Sequence, residues 1–141
     1  MINEELKLTG HVTVAVNDKV VQEIPNLVVT AGKGYVASRM KDTTDGAMSH
    51  MAVGTNSTAA AAGDTALGTE SGRVSLTSTT VSANVITYVA TFPAGTATAA
   101  LAEAAILNAS SGGTMLCRTV YATVNKGASD AMTITWAITA S

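Results

Sequence analysis

From Ala131 to Ala140 the apolar residues Met132, Ile134, Trp136 and Ile138 alternate with Thr133, Thr135, Ala137 and Thr139. Successive side chains of an extended strand point to opposite faces, so this period predicts a half-buried strand with the only Trp on its inner row. A helix would scatter the same residues round its circumference. The beginning of the chain has the same period. Leu6, Leu8, Val12, Val14 and Val16 precede the turn pair Asn17-Asp18, and Val20, Val21 and Ile24 follow it, which predicts a hairpin over roughly residues 5–24. Pro25-Asn26 ends the hairpin, and Leu27-Val28-Val29 is a short apolar run.

One stretch changes period. Thr30 reads as a helix N-cap, and Tyr35, Val36, Arg39 and Met40 recur at helical spacing, so a helix is predicted at about 31–41. Asp42-Thr43-Thr44-Asp45-Gly46 closes it, and a short strand follows at 49–55. Residues 56–69 are mostly Ala, Gly, Thr and Ser, which bury little area each. They are expected to form a surface loop lying close on the body, with Leu67 as its anchor. Further strands are predicted at 74–81, 85–92, 100–108 and 115–124, separated by turn signals about ten residues apart. The fold class is therefore mainly β: an antiparallel jelly-roll or β-sandwich with one short helix. A single domain is expected over 1–141, with 1–25 as an N-terminal hairpin or arm. No internal repeat is present.

Composition refines this picture. Hydrophobic residues make up 47% of the 141 but aromatic ones only 4%. The core must be built from Ala, Val, Ile, Leu and Met, with Met40, Met48, Met51, Met115 and Met132 as gap-fillers. Charged residues are 13%, about half the usual quarter, so part of the surface is expected to be covered by a partner. A net charge of −2 with no basic run argues against a nucleic-acid-binding module, and no nucleic-acid partner is expected. The single Cys117 cannot form an internal disulfide and is expected to be buried as a small hydrophobe. The charged opening Met1-Ile2-Asn3-Glu4-Glu5-Leu6-Lys7 is not read as a signal peptide. No stretch is long and apolar enough to span a bilayer, so synthesis in a cytoplasm and no membrane partner are expected.

Candidate chemistry is sparse. Gly32-Lys33-Gly34-Tyr35-Val36-Ala37 after an apolar run has the form of a dinucleotide fingerprint, but alternating βαβ units do not follow it. The glycines are read instead as allowing tight entry into the helix. His11 and His50 have no second ligand at a metal spacing. Ser49, His50 and Cys117 could be assembled into a nucleophile and base, yet no oxyanion motif or orienting acid lies near them in sequence. A surface or satisfied histidine is the simpler reading. Asp45, Asp64 and Glu70 are scattered loop acids, not a calcium loop. Glu103, alone in Leu101-Ala102-Glu103-Ala104-Ala105, is expected to pair with Arg73 or Arg118 for structural reasons. No catalytic, cofactor-binding or metal residue is assigned, and no cofactor is expected.

Several blocks occur in a suggestive order. They are Asn26 to Lys33, Ser49 to Thr55, Asp64 to Glu70, Tyr88 to Pro93, Glu103 to Ala109 and Thr133 to Trp136. This ordered set, over about residues 26–140, resembles small structural proteins of tailed bacteriophages, a group that includes capsid cement (decoration) proteins and pieces of tail fibres. Ala104-Ala105 stand where members often carry a Gly. The resemblance implies a non-enzymatic jelly-roll on the outside of the virion shell. It also implies the major capsid protein as partner, and a homodimer or trimer that clamps neighbouring capsid subunits. The alternative it leaves open is a tail or tail-fibre module for host adsorption.

Overall fold

The computed structural model describes residues 4–141. Among these residues ten strands and one helix follow one another in the order β1 (Leu8–Val16), β2 (Lys19–Pro25), β3 (Leu27–Val28), α1 (Thr30–Lys41), β4 (His50–Gly54), β5 (Glu70–Ser75), β6 (Ser78–Ser82), β7 (Val85–Phe92), β8 (Ala99–Leu107), β9 (Met115–Lys126) and β10 (Met132–Ala140). They form two five-stranded antiparallel sheets. Sheet A has the order β2-β1-β10-β7-β6 and sheet B the order β3-β9-β8-β4-β5. This is a β-sandwich with one short helix.

The terminal strand is the centre of sheet A. Trp136 lies opposite Val12 of β1 on one side and Tyr88 of β7 on the other. Met132, Ile134, Trp136 and Ile138 are all buried, as their alternation predicts. With Val12, Val14, Tyr88, Ala90 and Phe92 they make the sheet A half of the core. The other face of sheet A is Thr-rich and open to water, which is why this sheet reads so clearly in the sequence.

Sheet B is different. Leu101 to Leu107 of β8 are buried without interruption. Leu101, Ala104 and Ile106 join the main core, whereas Ala105 and Leu107 join a second cluster with Val29, Ala52 and Met115. Register shifts between Leu101 and Glu103, and between Ile106 and Leu107, adjust which side chains go to which face. The second cluster is on the outer face of sheet B, where Leu67 packs against it from the 56–69 segment. Leu67 thus anchors the loop as expected, and the loop lies over the sheet as a cover.

Tight turns close the ladders. Asn17 and Asp18 both have positive φ between β1 and β2, and Ala83 has φ 52 between β6 and β7. A second link ties two turns together. Asn17 Nδ2 donates to Asp130 Oδ1 at 2.9 Å, and the Ala131 and Gly127 N–H groups donate to Asn17 Oδ1 and Asp130 Oδ2.

Three expectations need correction. Residues 74–81 are two strands in two sheets, because the chain crosses the sandwich at Leu76-Thr77. The Leu76 N–H donates to the Ser49 carbonyl on one side, and the Thr77 N–H donates to the Val89 carbonyl on the other. Thr30 is the first residue of α1 and not its cap. Val29 holds the cap position with no side-chain bond, and the Thr30 N–H is satisfied by the Ala62 carbonyl of the covering loop at 2.8 Å. Met40 fills no gap: it is 84% exposed, while Met48, Met51, Met115 and Met132 are buried. Of the expected N-terminal arm, residues 1–3 lie outside the described residues; from Leu8 onward β1 pairs along its whole length with β10.

Candidate interaction surface

The 56–69 loop has the composition of a flexible linker, so something other than propensity must hold it. That something is Glu103. Its side chain leaves the outer face of β8 fully buried beneath the loop. Oε2 accepts from the N–H of Asn56 at 3.1 Å and of Thr69 at 2.8 Å, and Oε1 accepts from the N–H of Gly68 at 2.8 Å. The carboxylate therefore grips both ends of the loop at once. Gly54, beside it on β4, has no room for a side chain: a Cβ there would collide with the Thr69 carbonyl and crowd Glu103 Oε2.

Arg118, on the neighbouring strand β9, completes the grip. Its Nε and Nη2 donate to Glu103 Oε1 at 3.2 and 2.9 Å. Nη2 also donates to the Thr58 carbonyl at 3.1 Å, and Nη1 to Asp64 Oδ2 at 3.0 Å. Asp64 in turn accepts the Ala61 N–H, and Asn56 Oδ1 accepts the Thr58 N–H. Burial pushes the Glu103 carboxyl up. The bonds from the Thr69 and Gly68 N–H groups, from Arg118 and from the Asn56 N–H outweigh it and hold the group below the ordinary carboxylate range. The expected partner of Glu103 is therefore Arg118. Arg73 binds Glu70 instead, at 2.7 Å, and its Nη1 donates to the Ala109 and Gly112 carbonyls.

The outer side of the loop is then a fixed surface of small side chains. Ser57, Thr58, Ala59, Ala61, Ala62, Gly63, Thr65 and Ala66 are exposed there. Ordering such residues against another protein costs little side-chain entropy, and the backbone is already ordered. The sequence marked the loop and its anchor but not the depth of this fixation. The available signal was a lone carboxylate in an Ala-rich buried strand, which requires a cation and several N–H donors around it.

The other singled-out residues do not converge into one site. Ser49 Oγ lies 2.7 Å from His50 Nδ1, but His50 Nε2 faces the Ser75 hydroxyl at 3.4 Å, where an orienting carboxylate would be needed. Cys117 is buried inside the sandwich, and burial pushes its thiol well above the ordinary range. His11 is exposed and lies 3.3 Å from Glu23 Oε1. Among the described residues no three His, Cys, Asp or Glu side chains are grouped as metal ligands. Gly32 of the Gly-x-Gly run is buried against β9, where a Cβ would collide with the Leu116 carbonyl oxygen. Its role is close packing of α1 on the sheet.

Two apolar recesses flank α1. One, of about 410 Å3, is lined by Tyr35, Arg39, Met48, Thr79, Ile86 and Tyr88 among others. The other runs between Leu6 and Leu8 and the Val36 and Met40 side of the helix. Among the described residues no helix is long and apolar enough to cross a membrane. No known family profile, curated protein or solved structure matches the chain.

Proposed function

We propose that this chain is a non-enzymatic structural protein of a tailed-bacteriophage virion, a capsid cement protein on the outside of the shell. Its partners in this reading are the major capsid protein and further copies of itself, as a dimer or trimer. The ordered blocks set out above motivate the phage assignment. The observation that carries the cementing role is the fixed, small-residue face of residues 56–69 over the Glu103–Arg118 pair. A clamp must present its contact surface already ordered, since each weak contact then adds to the next across many equivalent sites. A charge-poor, Ala- and Thr-rich face suits flush packing on another protein.

The test has two parts. Quantitative mass spectrometry of purified particles should give a copy number comparable with that of the major capsid protein. A copy number that is a small fraction of it would favour the tail or tail-fibre module for host adsorption. Particles stripped of the protein, or made without its gene, should then lose their contents at lower temperature than complete ones. Shells equally robust without it would overturn the cementing role.

A further inference from the structure

Each five-stranded sheet has two edges, and three of the four are guarded. β2 carries Lys19, Glu23 and Pro25, and its pairing with β1 shifts register between Val14 and Ala15. β5 carries Glu70 and Arg73 and pairs with β4 through another shift, between Val53 and Gly54. β3 is two residues long and is flanked by the covering loop, which shares a recess with Leu27 through Ser57, Ala59 and Ala60. Charges, proline, bulges and short length are the usual means of keeping a sheet edge from pairing with another chain. The fourth edge, β6, has the sequence Ser78-Thr79-Thr80-Val81-Ser82. It has no charge, no proline and no register shift against β7, and all five residues are exposed.

The ladder shows which backbone groups of β6 have no partner among the described residues. The two-residue turn Ala83-Asn84 joins Ser82 to Val85, which are ladder partners, and a two-residue hairpin turn closes on a pair whose N–H and C=O groups face each other. The Ala140 N–H donates to the Asn84 carbonyl, which sets the same alternation on the β10 side of β7. Counting back along β6, Ser82, Thr80 and Ser78 turn their N–H and C=O toward β7, and Val81 and Thr79 turn theirs outward.

We infer that β6 is the self-association edge of this protein, pairing antiparallel with β6 of a second copy about a two-fold axis at Thr80. This inference rests on the homo-oligomeric part of the function proposed above, but not on the virion location. The strand is self-complementary in this register. Thr80 faces its own copy as a non-hydrogen-bonded pair, and Thr79 and Val81 each exchange two hydrogen bonds with the partner's Val81 and Thr79. Ser78 lies opposite the partner's Ser82. No like charges meet, and Thr–Thr opposition is a favourable cross-strand pair. The axis stands perpendicular to the sheet, so inner faces stay on one side and two sheets A become one of ten strands. Thr79 and Val81 are opposite Tyr88 and Ile86 of β7 and share their inner face. Val81, 70% exposed in the single chain, is thereby brought beside the partner's Thr79 at the rim of the partner's cleft. A five-residue edge makes few bonds, so the pair is weak in dilute solution and favoured where copies are concentrated.

The experiment is sedimentation of the isolated protein over a concentration series. A concentration-dependent dimer is expected for the natural chain. Thr80→Lys, which sets two lysines directly opposite each other, should raise the dimer dissociation constant at least about tenfold. Its thermal midpoint as a monomer should stay unchanged, because Thr80 is exposed. Mixing Thr80→Lys with Thr80→Glu should restore a heterodimer. Thr80→Cys should form an intermolecular disulfide under mild oxidation, since non-hydrogen-bonded antiparallel pairs bring Cα atoms within disulfide reach. A monomer at all concentrations overturns the inference. A dimer indifferent to all three substitutions places the interface elsewhere and overturns it too. Either failure leaves the particle copy number, and so the virion reading, to be judged by itself.

Discussion

Arg118 reaches Glu103 through two nitrogens, Nε at 3.2 Å and Nη2 at 2.9 Å, both on the same carboxylate oxygen. The second oxygen, Oε2, is left to the Asn56 and Thr69 N–H groups. This division of labour makes one ion pair hold two strands and a loop. A buried pair of this kind is seldom a large net source of stability, but removing one partner leaves the other charged and unsatisfied.

Glu103→Ala is therefore expected to destabilise the fold by about 3–5 kcal/mol in denaturant unfolding, and Arg118→Ala by a similar amount. The Gly68 and Thr69 amides should be protected from hydrogen exchange in the natural chain and exchange rapidly in Glu103→Ala. Unchanged protection there would refute the role assigned to Glu103.

Acid should loosen the same grip. The folded Glu103 carboxyl titrates below its unfolded value, so its stabilisation is complete above the ordinary Glu range near ~4.3. It is lost as pH falls through that range toward the lowered folded value. Urea midpoints measured from neutral pH downward should decline over this window, and Glu103→Gln should decline less steeply. A residual slope is expected from Asp130, whose carboxyl is held low by Asn17 and by the Gly127 N–H.

Trp136 is fully buried at the middle of sheet A. Trp136→Ala should cost roughly 3–5 kcal/mol. The natural protein should emit at short wavelength and resist quenching by iodide, and a red-shifted, readily quenched emission would contradict its burial.

The two helix glycines should respond with opposite signs. At Gly34 nothing stands within 4 Å of an added Cβ, so Gly34→Ala should stabilise by about 0.5–1 kcal/mol. At Gly32 the Leu116 carbonyl blocks it, and the same change should lower the thermal midpoint. Equal effects at both sites would mean that α1 does not pack on β9 as described.

Addition of chelator, or of nucleotides, should leave the thermal unfolding midpoint where it is. Gly32 of the Gly-x-Gly run is taken up with packing on β9, and the described His, Cys, Asp and Glu residues are not grouped as ligands. A clear shift with either addition would reopen the question of a bound group.

What the sequence determined by itself was local. Period-two rows over Val12 to Val16 and Met132 to Ile138, Asn17-Asp18 as a left-handed turn pair, and helical spacing over Tyr35 to Met40 each depend on residues close together in the chain. Sheet A was legible because one of its faces is wet, so its polar and apolar residues alternate. Sheet B was less so, because covering both faces of β8 erased the alternation and left Ala102 to Leu107 as an almost featureless run around Glu103. Only the tertiary structure decided that residues 74–81 divide between two sheets, since the crossing at Leu76-Thr77 depends on Ser49 and Val89, both distant in sequence. It also decided that Glu103 takes Arg118 and not Arg73. Both arginines were available by sequence, and the choice follows from strand order: β9 sets Arg118 opposite Ala105, within reach of the carboxylate, and the Arg73 guanidinium is engaged by Glu70 and two carbonyls.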